Sequence, residues 1–102
     1  MNTILLDKIS EIRQLCKSHR VNSLYAFGSV ATEAFNEQSD VDFLVDFEKG
    51  LTVNEYTDNY FEMQFKLHDL LNRRVDLVTQ RSLSNPYFIQ SIEMTKQLLY
   101  GS

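Results

Sequence analysis

The chain has 102 residues, 43% hydrophobic and 12% aromatic, enough for one modest core, so a single domain over residues 1–102 is expected. A net charge of −4 argues against a long phosphate-backbone contact surface, and with no basic groove visible, direct nucleic-acid binding is not expected. One cysteine, Cys16, excludes an internal disulfide, and the apolar start Ile4-Leu5-Leu6 is cut short by Asp7 and Lys8, which leaves no signal peptide or membrane span and points to the cytoplasm.

Leu5, Ile9, Ile12 and Cys16, spaced at i, i+4, i+7 and i+11, predict a first amphipathic helix that closes at the basic cluster Lys17, His19 and Arg20. Cys16 falls on its apolar face and reads as a buried, inert thiol. Val21 to Phe27 is the first predicted strand. Gly28 ends its apolar run, Ser29 to Ala34 can form a short helix, and Asn36-Glu37-Gln38-Ser39 reads as a loop. Asp40 to Phe47 alternates as a second strand. Thr52-Val53-Asn54-Glu55 has the capping-box pattern, and Tyr56, Tyr60, Met63, Leu67 and Leu70 carry a helical stripe to about Asn72. Arg74 to Thr79 is the third strand. Ser84-Asn85-Pro86 reads as a cap with Pro at the first helical position, opening a last helix through Ile89, Ile92 and Leu99 to Gly101. The order α-β-α-β-α-β-α fits an α/β (α+β) fold with a small sheet and helices packed on one side, leaving the other face to acidic side chains.

The chemistry concentrates around Gly28-Ser29 and, ten residues on, Asp40-Val41-Asp42. A strand, a glycine turn and a helix start place free amides outward, where the backbone approaches a phosphate closely, and Ser29 adds a hydroxyl. Asp40 and Asp42 emerge from one face of a strand with Cα atoms about 6.5 to 7 Å apart, close enough to bracket one hard divalent cation. Mg²⁺ suits carboxylates, water and substrate phosphates, and no His or Cys stands nearby for a softer metal. Asp46 faces the same way but lies about 13 Å from Asp42, too far to share that ion. Asp76 alternates with Val75 and Leu77. If its strand lies beside that of Asp40, its carboxylate joins the same face; otherwise it is an ordinary strand-edge Asp.

Other residues read more simply. His68 and Asp69 are helix neighbours that point apart, His19 ends a helix, and most of the five Tyr and seven Phe are expected in the core. For Arg73 and Arg74, helix-dipole complementation and contact with a nucleotide or partner both stay open.

Gly28-Ser29, the ten intervening residues, Asp40-x-Asp42 and Asp76 in Arg74-Val75-Asp76-Leu77-Val78-Thr79 together resemble the DNA polymerase beta-like nucleotidyltransferase superfamily. The chain is most similar to its minimal nucleotidyltransferases, small proteins often paired with HEPN-domain toxins, and the resemblance covers nearly the whole chain. It implies a small mixed sheet, and Asp40, Asp42 and Asp76 as catalytic and metal-binding residues for two Mg²⁺ ions. Gly28 and Ser29 would bind the nucleotide. ATP would be the donor, and the acceptor a hydroxyl, in this family a tyrosine of the HEPN toxin, so that the chain acts as an antitoxin and can assemble as a homo- or hetero-oligomer. One position departs from the pattern: many relatives carry Arg shortly after Gly-Ser, where this chain has Ala31-Thr32-Glu33. An alternative is a catalytically weak binding module that neutralises a partner by covering it. A small-molecule nucleotidyltransferase of the antibiotic-modifying kind is weaker still, since those enzymes usually bring a second domain.

Overall fold

Asn2 opens the first helix, its side chain accepting the Ile4 amide at 2.8 Å, and α1 runs Thr3–Asp7. In the computed structural model, which describes residues 2–32, 36 and 39–101, α1 stops at Lys8, whose amide reaches back to the Leu5 carbonyl at 3.2 Å. Lys8 leaves helical geometry at φ −115° and ψ 11°, and α2 then spans Ile9–Ser18. The single predicted helix is thus two, because this tighter turn closes the first before the second begins. Leu5, Ile12 and Cys16 still share one buried face.

Arg20, at φ 61°, turns the chain into β1, Val21–Phe27, which matches the predicted bounds. Gly28–Ala31 is a 3-10 turn, shorter than the predicted helix; residues 33 and 34 of that helix lie outside the described residues. β2 is Val41–Phe47, with Asp40 just ahead of it. The capping box forms as expected: Glu55 N donates to Thr52 Oγ1 at 3.1 Å and Thr52 N to Glu55 Oε1 at 2.9 Å, opening α3, Val53–Leu71. Asn72 ends it in the left-handed region at φ 52°. β3 is Val75–Thr79, and Asn85 caps α4, Pro86–Thr95, through the amides of Tyr87 and Phe88.

The last predicted helix ends early. Lys96, at φ −60° and ψ 140°, breaks it, and Gln97–Tyr100 form a fourth strand, β4, antiparallel to β1. The edge of β1 away from β2 needs a hydrogen-bonding partner, and the four residues supply it. The sheet is mixed, ordered β3-β2-β1-β4, with β1 antiparallel to β2 and β2 parallel to β3.

Strand alternation divides the residues between two faces. Leu24, Ala26, Val41, Phe43 and Val45 meet Leu5, Ile12, Cys16, Met63, Leu67 and Leu71 from α1 to α3 in the main core. Fully burying a side chain such as Phe43 contributes about 1.5–3 kcal/mol. The opposite face was expected to be open, but α4 covers part of it, its Ile92 packing with Phe27 and Leu44. What remains uncovered holds the carboxylates.

Candidate active site on the carboxylate face

Asp42 on β2 stands in register with Asp76 on parallel β3 and with Phe27 on β1. Neighbouring strands lie about 4.8 Å apart, so Asp42 and Asp76 are side by side on one face. Asp76 is exposed and Asp42 half-buried. Burial of Asp42, then the charges of Asp76 and Asp40, push its pKa up to about 6. Three carboxylates therefore share one field.

Asp40 sits at the mouth of β2, where Arg74 Nε is 3.8 Å from its Oδ2. Both side chains are largely solvated, so the pair is weak. Arg73 Nη1 donates to the carbonyls of Asn36 at 3.3 Å and Ser39 at 3.2 Å, holding the loop that delivers Asp40. The Val41 amide bonds to the Arg74 carbonyl at 3.1 Å, which ties that loop end to β3. Arg73 thus serves the loop and Arg74 faces Asp40.

Gly28 follows β1 with φ +72°, a conformation that favours glycine. A Cβ there would lie 2.8 Å from Asp42 Oδ2, so glycine also makes room for that carboxylate. The Gly28 amide donates to Thr95 Oγ1 at 3.0 Å, and the Thr95 hydroxyl donates to the Ser91 carbonyl at 3.1 Å. This amide is therefore engaged by α4. Ser29, half-buried, is next in the turn, and the Thr32 hydroxyl folds back on the Ser29 carbonyl at 3.0 Å. Glu33 lies outside the described residues.

The donors at this face are hard carboxylate oxygens, and their mutual repulsion is what a divalent cation relieves, so the residues fit Mg²⁺. Among the described residues, no three His, Cys, Asp or Glu side chains stand in a ready-made metal cluster. Cys16 is fully buried, with its pKa pushed up to about 12, and is inert as expected. His19 is buried at the end of α2, its Nδ1 2.7 Å from the Leu15 carbonyl. A cleft of about 470 Å³ between α2 and α3, lined by Gln14, Leu15, Lys66 and Leu70, lies away from the carboxylates.

Sequence reasoning missed Thr95, whose hydrogen bond to Gly28 spans 67 positions, and the exposed rings of Phe61 and Phe65 beside Asp76. The rings carried a signal, because both fall off the Tyr56-Tyr60-Met63-Leu67-Leu70 stripe. Among the described residues, no helix is long and apolar enough to cross a membrane.

The chain and its fold are similar to those of known proteins. A Methanocaldococcus jannaschii protein, MJ1217, named as a candidate protein adenylyltransferase, is 35% identical over 100 residues, covering 90% of this chain and 96% of its own. A solved structure described as a candidate minimal nucleotidyltransferase superposes with a TM-score of 0.76 at 31% identity, covering 95% of both chains. A solved toxin-antitoxin structure with AMP-PNP reaches a TM-score of 0.72 at 26% identity, covering 92% of this chain and 73% of the other. The family model described as the nucleotidyltransferase domain matches residues 9–99, and the chain belongs to this family of nucleotidyltransferase enzymes.

Proposed function

We propose that this chain is a single nucleotidyltransferase domain over residues 1–102 that moves AMP from ATP to a hydroxyl acceptor, a tyrosine of a HEPN-type toxin, and so acts as a cytoplasmic antitoxin. The observation that carries this reading is the in-register pair Asp42 and Asp76 beside the Gly28 turn. Support also comes from the protein-adenylyltransferase name of the relative and from the AMP-PNP of the structural neighbour.

In this reading Asp40 and Asp42 would hold Mg²⁺, and together with Asp76 they would hold a second ion. When bound, the metal neutralises phosphate charge and lowers the barrier to in-line displacement. Asp76, exposed at the sheet edge, orients the acceptor hydroxyl and takes its proton. The acceptor oxygen forms a bond to the α-phosphorus, the bond to the β-phosphate oxygen breaks, and pyrophosphate leaves. The turn at Gly28 keeps room beside Asp42, and the Ser29 hydroxyl aligns the departing phosphates. Asp42 must be ionised to bind metal, so its raised pKa sets a proton in competition with the cation and acid weakens binding.

One observation favours a second reading, a catalytically weak module that silences its partner by covering it. Ala31-Thr32-Glu33 stands where the resemblance implies an Arg shortly after Gly28-Ser29, so this stretch brings no cation to the triphosphate, and the Thr32 hydroxyl is turned back on the Ser29 carbonyl. Calorimetry separates the two. The enzyme reading expects ATP to bind only with Mg²⁺ and at least ten-fold more weakly to Asp42→Asn. Absence of ATP binding, with the partner complex intact in Asp40→Ala and Asp42→Ala, would leave the binding module.

A further inference from the structure

Phe61 and Phe65, one helical turn apart on α3, are 64% and 70% exposed. They wall an open cleft of about 380 Å³ together with Gln64, His68, Arg74 and Asp76. A second cleft of about 430 Å³ continues from Phe61 along β3 past Tyr60, Val78 and Thr79. An apolar strip thus runs directly up to a carboxylate of the candidate site. Isolated surface aromatics are ordinary, but adjacent rings continuous with such a site mark a recognition surface.

The edge of β3 limits what can dock there. β3 is the outermost strand, open to a partner strand on its far side. Two of its carbonyls are already taken, however: the Tyr60 hydroxyl donates to Leu77 O at 2.7 Å and Gln64 Nε2 to Val75 O at 3.3 Å. An added strand would have to displace both bonds, so the occupant engages side chains rather than extending the backbone ladder.

We infer that Phe61 and Phe65 form the docking surface for the protein segment that carries the acceptor hydroxyl, an apolar helix face of the partner. This rests on the reading of the chain as a protein-modifying nucleotidyltransferase. At the moment of transfer the acceptor oxygen and the α-phosphorus stand about 3 to 3.5 Å apart. The oxygen is then also beside Asp76, and the main chain that carries it passes within one tyrosine side chain of that carboxylate. The cleft walled by Phe61 and Phe65 lies in that path, with Arg74, 76% exposed in its side chain, at its polar rim. Aromatic side chains in such positions are the usual anchors of an interface.

The test uses the full chain and a purified HEPN-type toxin from the same genome. The double variant Phe61→Ser/Phe65→Ser is expected to weaken toxin binding at least ten-fold while changing Mg²⁺-dependent ATP affinity less than two-fold, and Phe65→Leu is expected to retain most of the toxin affinity. Circular dichroism checks that each variant is folded. Unchanged toxin affinity in the double variant overturns the surface, as does failure of the wild-type chain to bind the toxin. A parallel loss of ATP binding overturns it in favour of a base-stacking site. Dissociation of a wild-type dimer with toxin affinity retained overturns it in favour of a second copy of this chain. If the wild-type complex forms without AMP transfer while the double variant loses the complex, the surface stands and the enzymatic reading falls.

Discussion

The backbone of Gly28 packs so closely on the Asp42 carboxylate that a Cβ at position 28 would come within 2.8 Å of Oδ2. The conflict is with the end of a side chain, so Gly28→Ala displaces the carboxylate rather than the strand. A non-glycine residue at φ +72° adds about 1–2 kcal/mol of strain. The variant is expected to fold, melt several degrees lower and bind Mg²⁺-ATP at least ten-fold more weakly, as read by thermal melts and calorimetry.

Asp42 gives stability an unusual pH dependence. Its pKa is about 6 in the folded chain against about 3.9 for an ordinary Asp, so the folded state holds this proton more tightly than the unfolded state. The resulting stabilisation is full below about pH 4, declines as pH rises to about 6, and is gone above that. Asp42→Asn removes the charge, so without divalent cations the variant is expected to melt above the wild type at pH 7.5, with the gap closing towards pH 4. Because Asp42 is half-buried, solvent screening holds the effect to about 1 kcal/mol, or about 4–8 °C. Added Mg²⁺ should raise the wild-type melting temperature and leave that of Asp42→Asn nearly unchanged.

Thr95 fixes the Gly28 turn from α4 through its hydroxyl. Thr95→Val keeps the shape and removes the acceptor, leaving the Gly28 amide without its partner at a cost of about 1–2 kcal/mol. Thr95→Ser restores the oxygen. Denaturant unfolding should rank wild type and Ser above Val, and Mg²⁺-ATP affinity should follow the same order if the turn positions Asp42.

β4 depends on Gly101 in a way its own residues do not display. At φ +89°, a Cβ on Gly101 would run into the carbonyl oxygen of Asn22 and lie 3.0 Å from the Cα of Ser23, both backbone atoms of β1 that cannot rotate away. Gly101→Ala is expected to destabilise by about 2 kcal/mol or more, and amide exchange should quicken in Gln97–Tyr100 before it does in β2.

Elements specified by local signals could be read from the chain: the apolar run of β1 ended by Gly28, the alternation of β2, the Thr52–Glu55 capping box and the Asn85-Pro86 cap all act within a few residues. The sequence left open whether the Asp76 strand lies beside that of Asp40, and the register answers it by pairing Asp76 with Asp42. β4 was hidden because Ile92 and Leu99 are seven apart, which a helix also satisfies, and only pairing with distant β1 decides between the two. Thr95 to Gly28 and Arg73 to the Asn36–Ser39 loop are likewise long-range hydrogen bonds, invisible to periodicity.

Intact-mass spectrometry of a HEPN-type toxin incubated with this chain, ATP and Mg²⁺ tests the central claim most directly. The wild-type chain is predicted to add one or more AMP units to the toxin, and Asp42→Asn and Asp76→Asn to add none. An unmodified toxin in a stable wild-type complex, or equal modification by the two variants, would contradict it.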